Sequence, residues 1–423
     1  NFAHTLHSIP GIYMHSGTYS TSRVIIRGVG SRTPYNTNRI KSYLNDIPIT
    51  SSDGISTPED IDLMGIGRME VIKGPASATY GSGLGGNIIL YTPRSTKEGA
   101  AALIQYGSFN TIKAAASGNY INQNLNLWGT ISHVNSDGYR ENNRYRRTSF
   151  ISSGEWEQKD YSLEYTLMLI DLNAQIPSSV GKSLYESNPK AAAANWSAIE
   201  GYKKYQRAIA GVTLTNLFSD KWINKLNVFG RWADSYERRP FNKNQIYDDS
   251  RMEVFNQRFN NLDDGTSGSG IRNRLSYHNN QWDAMIGFEW VKDVYRWKMD
   301  LENEMINKNR ESRDHYNLFS MIYWRPASEW NISLGGAVNK VNYLLRDQFL
   351  SNGDQSGERS FPLIFSPRLG INYAPSQLLA FYGSVGHGFS MPSPEETLLP
   401  EGDINKELKP EQGVQYEMGF RLN

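Results

Sequence analysis

The chain has no cysteine among its 423 residues, so it can build neither a disulfide framework nor a thiolate metal centre, and cysteine usage says nothing of redox compartment. It also lacks a charge bias. With 44 basic against 43 acidic side chains there is no reason to expect nucleic acid or an acidic partner. No apolar run reaches the roughly 18 residues of a transmembrane helix, and mean hydropathy is only -0.56. The opening Asn1-Phe2-Ala3-His4 has neither the charged start nor the apolar core of a signal peptide, so the chain reads as a mature or trimmed segment. None of these absences excludes a membrane β-barrel, whose strands alternate lipid-facing and lumen-facing residues and so average out polar. What is plentiful leans that way: 25 tyrosines, 10 tryptophans and 37 glycines.

Catalytic and metal signatures are missing too. The seven histidines form no His-x-x-x-His or Glu-x-x-His pair, no Gly-x-Ser-x-Gly elbow supports a nucleophile, and the acid pairs Asp248-Asp249 and Asp263-Asp264 read as solvated loop residues. The expectation is a protein that is not an enzyme, with no metal site and no covalently bound cofactor.

The most distinctive stretch is 68–93, Arg-Met-Glu-Val-Ile-Lys-Gly-Pro-Ala-Ser-Ala-Thr-Tyr-Gly-Ser-Gly-Leu-Gly-Gly-Asn-Ile-Ile-Leu-Tyr-Thr-Pro. Gly74-Pro75 ends a first strand, because proline offers no ladder N–H and restricts its predecessor. A small-residue turn and a glycine cluster lead into a second strand, Asn87 to Tyr91. A phosphate cradle does not fit, since no Gly-Lys-Ser/Thr follows and a strand stands where a helix N-terminus is needed. On local physics alone this is a tight hairpin of any β protein.

From about residue 96 the pattern changes to period 2. In the run Tyr161 to Leu167 the odd positions are apolar, while Ser162, Glu164 and Thr166 point the other way. Trp222, Leu226, Val228 and Trp232 oppose Lys225, Asn227 and Arg231. The same holds for Trp282, Ile286, Phe288 and Trp290 against Asp283 and Glu289, and for Trp330, Ile332, Leu334 and Val338 against Asn331, Ser333 and Asn339. A half-solvated antiparallel sheet gives the same alternation. Two features favour a membrane: the apolar stripes begin or end in tryptophan or tyrosine, and their length approaches the 9–11 residues of a tilted spanning strand. Short turns near 122–124, 158–160, 219–221, 279–280 and 374–376 alternate with long excursions at 136–147, 173–204, 235–270, 297–314, 344–363 and 388–410, as on the two rims of an outer-membrane barrel. The segments number about 14, against about 22 for barrels with a plugged lumen. The expected fold is therefore an all-β transmembrane barrel of about 22 antiparallel strands when complete, with further strands still to come after residue 423.

The stretch 68–93, with Ile25-Ile26-Arg27-Gly28-Val29-Gly30, Tyr43-Leu44-Asn45-Asp46-Ile47-Pro48, Ile9-Pro10-Gly11-Ile12 and Ile61-Asp62-Leu63, resembles the plug domain of TonB-dependent outer-membrane receptors. Gly386-His387-Gly388-Phe389 onward, Asn405 to Glu411 and Tyr416-Glu417-Met418-Gly419 resemble that family's barrel. The resemblance implies an α+β plug at 1–95, carrying Glu70, Gly74, Pro75, Tyr80, Gly81, Gly85 and Gly86, inside a barrel at 96–423. It implies active transport across the outer membrane of a Gram-negative bacterium, powered by TonB and its inner-membrane motor complex, with the TonB-contact peptide upstream of Asn1. A ferric siderophore is the expected cargo, because the loop 172–204 looks most like the siderophore and ferric-citrate branch. Haem, cobalamin or a glycan remain open, as do a passive pore, an adhesin and a secreted β-sheet enzyme.

Site residues follow from the same resemblance. Arg27 and Lys73 stand where relatives carry arginines that latch the plug to barrel glutamates, and Glu417 matches one of those glutamates. Lysine loses the bidentate geometry of arginine. Solvated lumen charges would look alike in sequence. For ligand contact the outward plug tips Tyr19, Arg32, Tyr35 and Asp53 and the loop residues Arg238, Arg239, Arg310, Arg313 and His315 combine aromatic and cationic groups suited to an anionic ferric chelate. Outer-membrane lipid is the remaining expected partner. Ligand identity, oligomeric state and any lipoprotein lid are not legible.

Overall fold

The computed structural model describes residues 2–15, 22–31, 37–52, 54–240, 259–301, 304–394, 396–398 and 404–422. The first part is a small α+β unit. A short helix, α1 (Phe2–His7), buries Phe2, Ala3 and Leu6 beside an antiparallel pair, β1 (Ile12–His15) and β2 (Arg23–Ile26). A second sheet has the order β4-β3-β6-β5, from β3 (Ile40–Leu44), β4 (Ile47–Pro48), β5 (Arg68–Lys73) and β6 (Gly86–Tyr91). Its only parallel pair is β3 with β6. β6 is central and buried along nearly its whole length, which is why Asn-Ile-Ile-Leu reads as an apolar run and not as an alternation.

β5 and β6 form the hairpin expected from 68–93, in register from Arg68 opposite Tyr91 to Lys73 opposite Gly86. Its connection contains one helical turn, α2 (Ser77–Tyr80), where the sequence reads only as a small-residue turn. Gly86 sits at φ +127°, where any Cβ would run into the Ile72 carbonyl. No other residue closes this hairpin without strain.

The rest is one meandering antiparallel sheet of fifteen strands among the described residues. In order these are β7 (Gly99–Gly107), β8 (Thr111–Asn122), β9 (Leu125–Ser136), β10 (Tyr145–Glu157), β11 (Tyr161–Gln175), β12 (Tyr202–Ser219), β13 (Trp222–Pro240), β14 (Phe259–His278), β15 (Trp282–Leu301), β16 (Glu304–Trp324), β17 (Trp330–Asp347), β18 (Gly357–Ser360), β19 (Ile364–Tyr373), β20 (Leu379–Ser390) and β21 (Glu411–Leu422). Each pairs with its sequence neighbours, except that β18 is a side branch on β17, which also pairs with β19. Two short helices, α3 (Lys182–Ser187) and α4 (Ala194–Ala198), lie in the long β11–β12 connection.

Alternation does what period 2 demands. On β16, Glu311, Arg313, Asn317 and Phe319 are buried against the lumen, while Tyr316, Leu318, Ile322 and Trp324 face outward. Aromatic pairs line the short-turn rim: Trp156 with Tyr161, Trp222 with Tyr277, Trp282 with Trp324 and Trp330 with Tyr373, at ring separations of 5.7, 4.9, 5.4 and 4.4 Å. Such a girdle marks a membrane–water interface. Among the described residues no helix is long and apolar enough to cross a membrane; in this fold strands make the crossing.

The structure corrects the reading of the long excursions. Much of 235–270 and 297–314 is strand, so Arg238, Arg239 and Arg310 are ladder residues and not loop residues. Past the apolar belt both faces of a strand meet water, and the hydrophobic alternation that announces a strand disappears although the hydrogen-bond ladder continues.

The small domain packs inside this wall. Leu44, Ile47, Ile61, Ile88 and Leu90 share one apolar core with Trp128, Ile151, Met168, Ile170, Ile209 and Phe229 of β9–β13. Wall arginines enclose the turn at 58–60: Arg147 donates to the carbonyls of Glu59 and Asp60 at 3.1 and 2.9 Å, and Arg207 donates to Thr57 Oγ1 at 3.1 Å. Asp62, 2% exposed, accepts from Lys113 at 2.8 Å and Arg147 at 3.2 Å. Burial alone would raise its carboxyl, but those cations and the Met64 N–H hold it below the usual range. Glu59 goes the other way: burial, then the charge of Asp60, push it up to about 7.

Two outcomes follow. Ile88→Ala, at a fully buried site, should destabilise the small domain by about 2–5 kcal/mol, read as a lower urea concentration at which protease reaches residues 2–91; an unchanged midpoint would refute the packing. Because Glu59 titrates above its ordinary value, its contribution is complete below about pH 4.3 and is lost as pH rises through about 7. The same protease midpoint should therefore be lower at about pH 8 than at about pH 5, and Glu59→Gln should flatten that difference.

Candidate functional site

Between the small domain and the wall lies a cavity of about 90 Å³. Tyr43, Thr50, Ser52, Tyr80 and Gly81 line it from the domain, and Arg231, Glu289, Asp293, Arg313, His315 and Asn317 from the wall. Each wall side chain occupies an inward position of its strand, so the sheet alone fixes where it points.

The charges are organised in pairs. Arg231 of β13 is ion-paired with Asp293 of β15 and donates to the Thr50 carbonyl. Ser52 Oγ donates to the Ser267 carbonyl at 3.1 Å and lies 3.4 Å from Asp293 Oδ1; His315 Nε2 is 3.9 Å from the same carboxylate. Arg272 bridges Glu289 at 2.7 Å and the Thr79 carbonyl at 2.9 Å, with its guanidinium 5.2 Å from the centre of the Tyr80 ring. Arg313 pairs with Glu311, donates to the Pro392 carbonyl at 3.1 Å and stacks 4.1 Å over Tyr343. The Tyr43 ring packs at a tilt against Tyr80, and its hydroxyl donates to the Tyr80 carbonyl at 3.1 Å; burial pushes its phenol up, so it stays a neutral donor. The result is a polar, aromatic-edged pocket of nearly balanced charge. It can hold an oxygen-rich solute by charge-assisted hydrogen bonds and stacking.

Of the candidate ligand contacts, Arg313 and His315 line this pocket. Arg238 and Arg239 do not: they stand at the outer end of β13, where Arg238 lies 4.4 Å over Phe259. Arg310 is on the outward face of β16. Tyr19, Arg32, Tyr35 and Asp53 lie outside the described residues, although Ser52 and Gly54, beside Asp53, line the cavity. Sequence reasoning missed Arg231, Arg272, Glu289 and Asp293 as site residues. Their signal was present in the wet face of the alternation, which includes Arg231 and Glu289.

Some of the motif residues meet the wall and others pack within the small domain. Arg27, at φ +50°, makes two hydrogen bonds to Glu417 of β21, at 2.8 and 2.7 Å. Lys73 does not take part in that pair; its ammonium donates to the Pro10 carbonyl at 2.8 Å. Lysine lacks the planar fork that matches a carboxylate bidentately, and its ammonium, a point charge with three donors, is served here by a carbonyl. A second link, Arg39 to Glu411 at 2.5 Å, was not foreseen. Pro75 accepts from Arg368 at 3.0 Å, and Glu70 accepts from the Tyr91 hydroxyl at 3.3 Å. Gly81, at φ +68°, sits against Asn339 and Asn317, and Gly85 packs a glycine-only distance from Val29.

Residues 74–423 match the TonB-dependent receptor-like β-barrel family, and residues 1–87 match the TonB-dependent receptor plug domain. The chain is 28% identical over 239 residues to the ferrioxamine receptor of Yersinia enterocolitica, an alignment that takes in 55% of this chain and 29% of that receptor. In fold it is similar to the ferric citrate transporter FecA in its unliganded form, with TM-score 0.82 and 14% identity over 99% of this chain and 64% of that one. It is also similar to the copper transporter OprC (TM-score 0.78, 16% identity, 100% and 66% covered) and to the ferric yersiniabactin uptake receptor FyuA from Yersinia pestis (0.73, 14%, 98% and 66%). The chain thus spans about two thirds of the length of these solved structures and under a third of the ferrioxamine receptor. With a plug pinned inside a fifteen-stranded wall and family matches running from its first residue to its last, the chain belongs to the TonB-dependent receptors, outer-membrane β-barrels that hold a plug domain.

Proposed function

We propose that this protein is an active-transport receptor in the outer membrane of a Gram-negative bacterium, taking up a ferric siderophore or a similar iron chelate with energy from TonB and its inner-membrane motor complex. The observation that carries the reading is the plug packed inside the barrel wall, with a polar cavity lined by both. A passive pore would have no use for such a plug. Support for iron comes from the similarity to the ferrioxamine receptor and from the chemistry of the pocket, whose guanidinium, imidazole and phenol groups suit the oxygen donors of a chelate. The plug–wall pair Arg27–Glu417 acts as the latch. With side chains 38% and 29% exposed it is an interaction of about 1 kcal/mol or less, weak enough to release.

Uptake of ferrioxamine and ferric citrate by cells with and without the gene tests the reading directly: no difference on any iron chelate, or uptake that persists without TonB, rejects it. In purified protein, Arg313→Gln should weaken chelate binding by roughly tenfold or more, the value of one hydrogen bond to a charged group. Arg310→Gln, on the outward face of the same strand, should leave it unchanged. Equal effects would place the ligand elsewhere. For the latch, Arg27→Ala should ease plug release in urea by about 1 kcal/mol or less, and the exchange Arg27→Glu with Glu417→Arg should restore most of it; a swap no better than the single variant would show that the contact is not an ion-pair latch.

A further inference from the structure

Three arginines stand in one row across the outer side of the wall. Arg296 of β15 is directly opposite Arg310 of β16, and Arg310 is directly opposite Arg346 of β17. Even positions of these strands face outward, with Phe288, Leu318 and Val338 exposed on the same face, while the odd positions carry Asp293, Arg313 and Asn339 inward. Lys308, the next outward position of β16, and Lys292, two outward positions below Arg296, extend the patch, and all five cations are exposed.

With neighbouring strands about 4.8 Å apart, the row measures roughly 10 Å from end to end. Like charges directly opposite one another destabilise a sheet. Among the described residues none of the five cations has a side-chain hydrogen bond or an ion pair. The acids of this face do not relieve them. Asp300 pairs with Lys298 at 2.9 Å, Asp263 stands opposite Lys298, Asp314 accepts from the Trp290 indole at 3.3 Å, and Asp234 and Glu358 flank the row without an ion pair to it.

Height on the wall says what lies beside the row. Fourteen positions separate Arg296 from Trp282, and Arg310 from Trp324, the aromatic pair of the short-turn rim. At about 3.3 Å per residue and a tilt of about 40°, that is roughly 35 Å along the membrane normal. The apolar band of such a barrel is about 25 Å tall, so the row stands roughly 10 Å past it on the long-loop side, at the depth of the outer headgroups.

We propose that Arg296, Arg310 and Arg346 bind the phosphates of an outer-leaflet lipid. Their planar forks grip phosphate oxygens bidentately, Tyr316 and Leu318 below them meet the acyl chains, and the membrane supplies the counter-charge that the sheet lacks. The row lies on the opposite face of β16 from the cavity, so the site is independent of the solute carried.

The probes are diphosphoryl lipid A, monophosphoryl lipid A and inorganic phosphate, each added to purified protein in a non-ionic detergent and read by native mass spectrometry and thermal midpoint. Diphosphoryl lipid A should bind and raise the midpoint, and the monophosphoryl form should bind severalfold more weakly. Replacing the row by Arg296→Gln, Arg310→Gln and Arg346→Gln together should weaken binding tenfold or more, whereas Lys159→Gln with Lys221→Gln, exposed cations of the other rim, should leave it unchanged. Without lipid, the triple variant should melt no lower than the parent, because it relieves repulsion; this separates lost binding from lost folding. Undiminished binding by the triple variant, equal binding of the two lipids, or displacement of lipid A by inorganic phosphate at equal concentration overturns the proposal. A lower lipid-free midpoint in the triple variant would mean that the protein already satisfies these guanidinium groups, and overturns it as well.

Discussion

The contact on which this architecture depends is a guanidinium donating to a backbone carbonyl. A compact domain enclosed by a barrel has many turn carbonyls with no ladder partner, and away from free water each needs a donor. The wall supplies them from five arginines: Arg147 to Glu59 and Asp60, Arg207 to Ile49, Arg231 to Pro48 and Thr50, Arg272 to Thr79, and Arg368 to Pro75. Arginine suits the task because its planar fork serves two acceptors at once and its charge never titrates away. Two of the five keep a carboxylate of the wall itself, Asp293 for Arg231 and Glu289 for Arg272. Were the plug to shift, these two would lose a carbonyl and not their counter-ion. That avoids the cost of an abandoned buried charge, which makes buried ion pairs hard to break.

Ion pairs that cross from plug to wall differ in burial. Asp62 is held by Lys113 and Arg147 at 2% exposure. Removing either partner there strands a buried charge, so that contact is an anchor. Arg27–Glu417 and Arg39–Glu411 lie on β21 with at least one partner well exposed, so water replaces the lost partner at little cost. The same interaction type is an anchor where it is buried and a release where it is exposed, as it also is in the partly exposed Lys225–Asp46 pair, and local dielectric decides which.

How much of this was legible depended on whether one face of an element met lipid. Trp330, Ile332 and Leu334 announced β17 because a bilayer forces period 2. The outer reaches of β13, β14 and β16 carried polar residues on both faces and passed for loops. α2 went unread because Ser-Ala-Thr-Tyr is too short and too uniform to show a 3.6-residue period. In the site, Arg310 and Arg313 looked equivalent as loop charges. Strand parity separates them, since three residues apart on β16 they face opposite sides. The partnerships of Asp62 with Lys113 and Arg147, and of Arg272 with Thr79, span 51 to 193 positions in the chain. No local pattern carries such pairs; only the folded wall brings them together.

Lys73 shows most clearly how a departure from the family pattern is absorbed. As an arginine it would compete for Glu417. As a lysine it spends its charge on the Pro10 carbonyl and leaves Glu417 to the bidentate grip of Arg27. The effect is to fasten the segment after α1 to the last residue of β5, one position before the Gly74-Pro75 break that leads into α2. Arg27 is fastened to the same segment by its own N–H, which donates to the Gly11 carbonyl at 2.8 Å. Residues 10 and 11 therefore hold the latch and the root of the hairpin together, and a displacement of that segment reaches both at once. Here one short stretch of backbone couples them, through two hydrogen bonds to carbonyls that carry no net charge and cost little to remake in water.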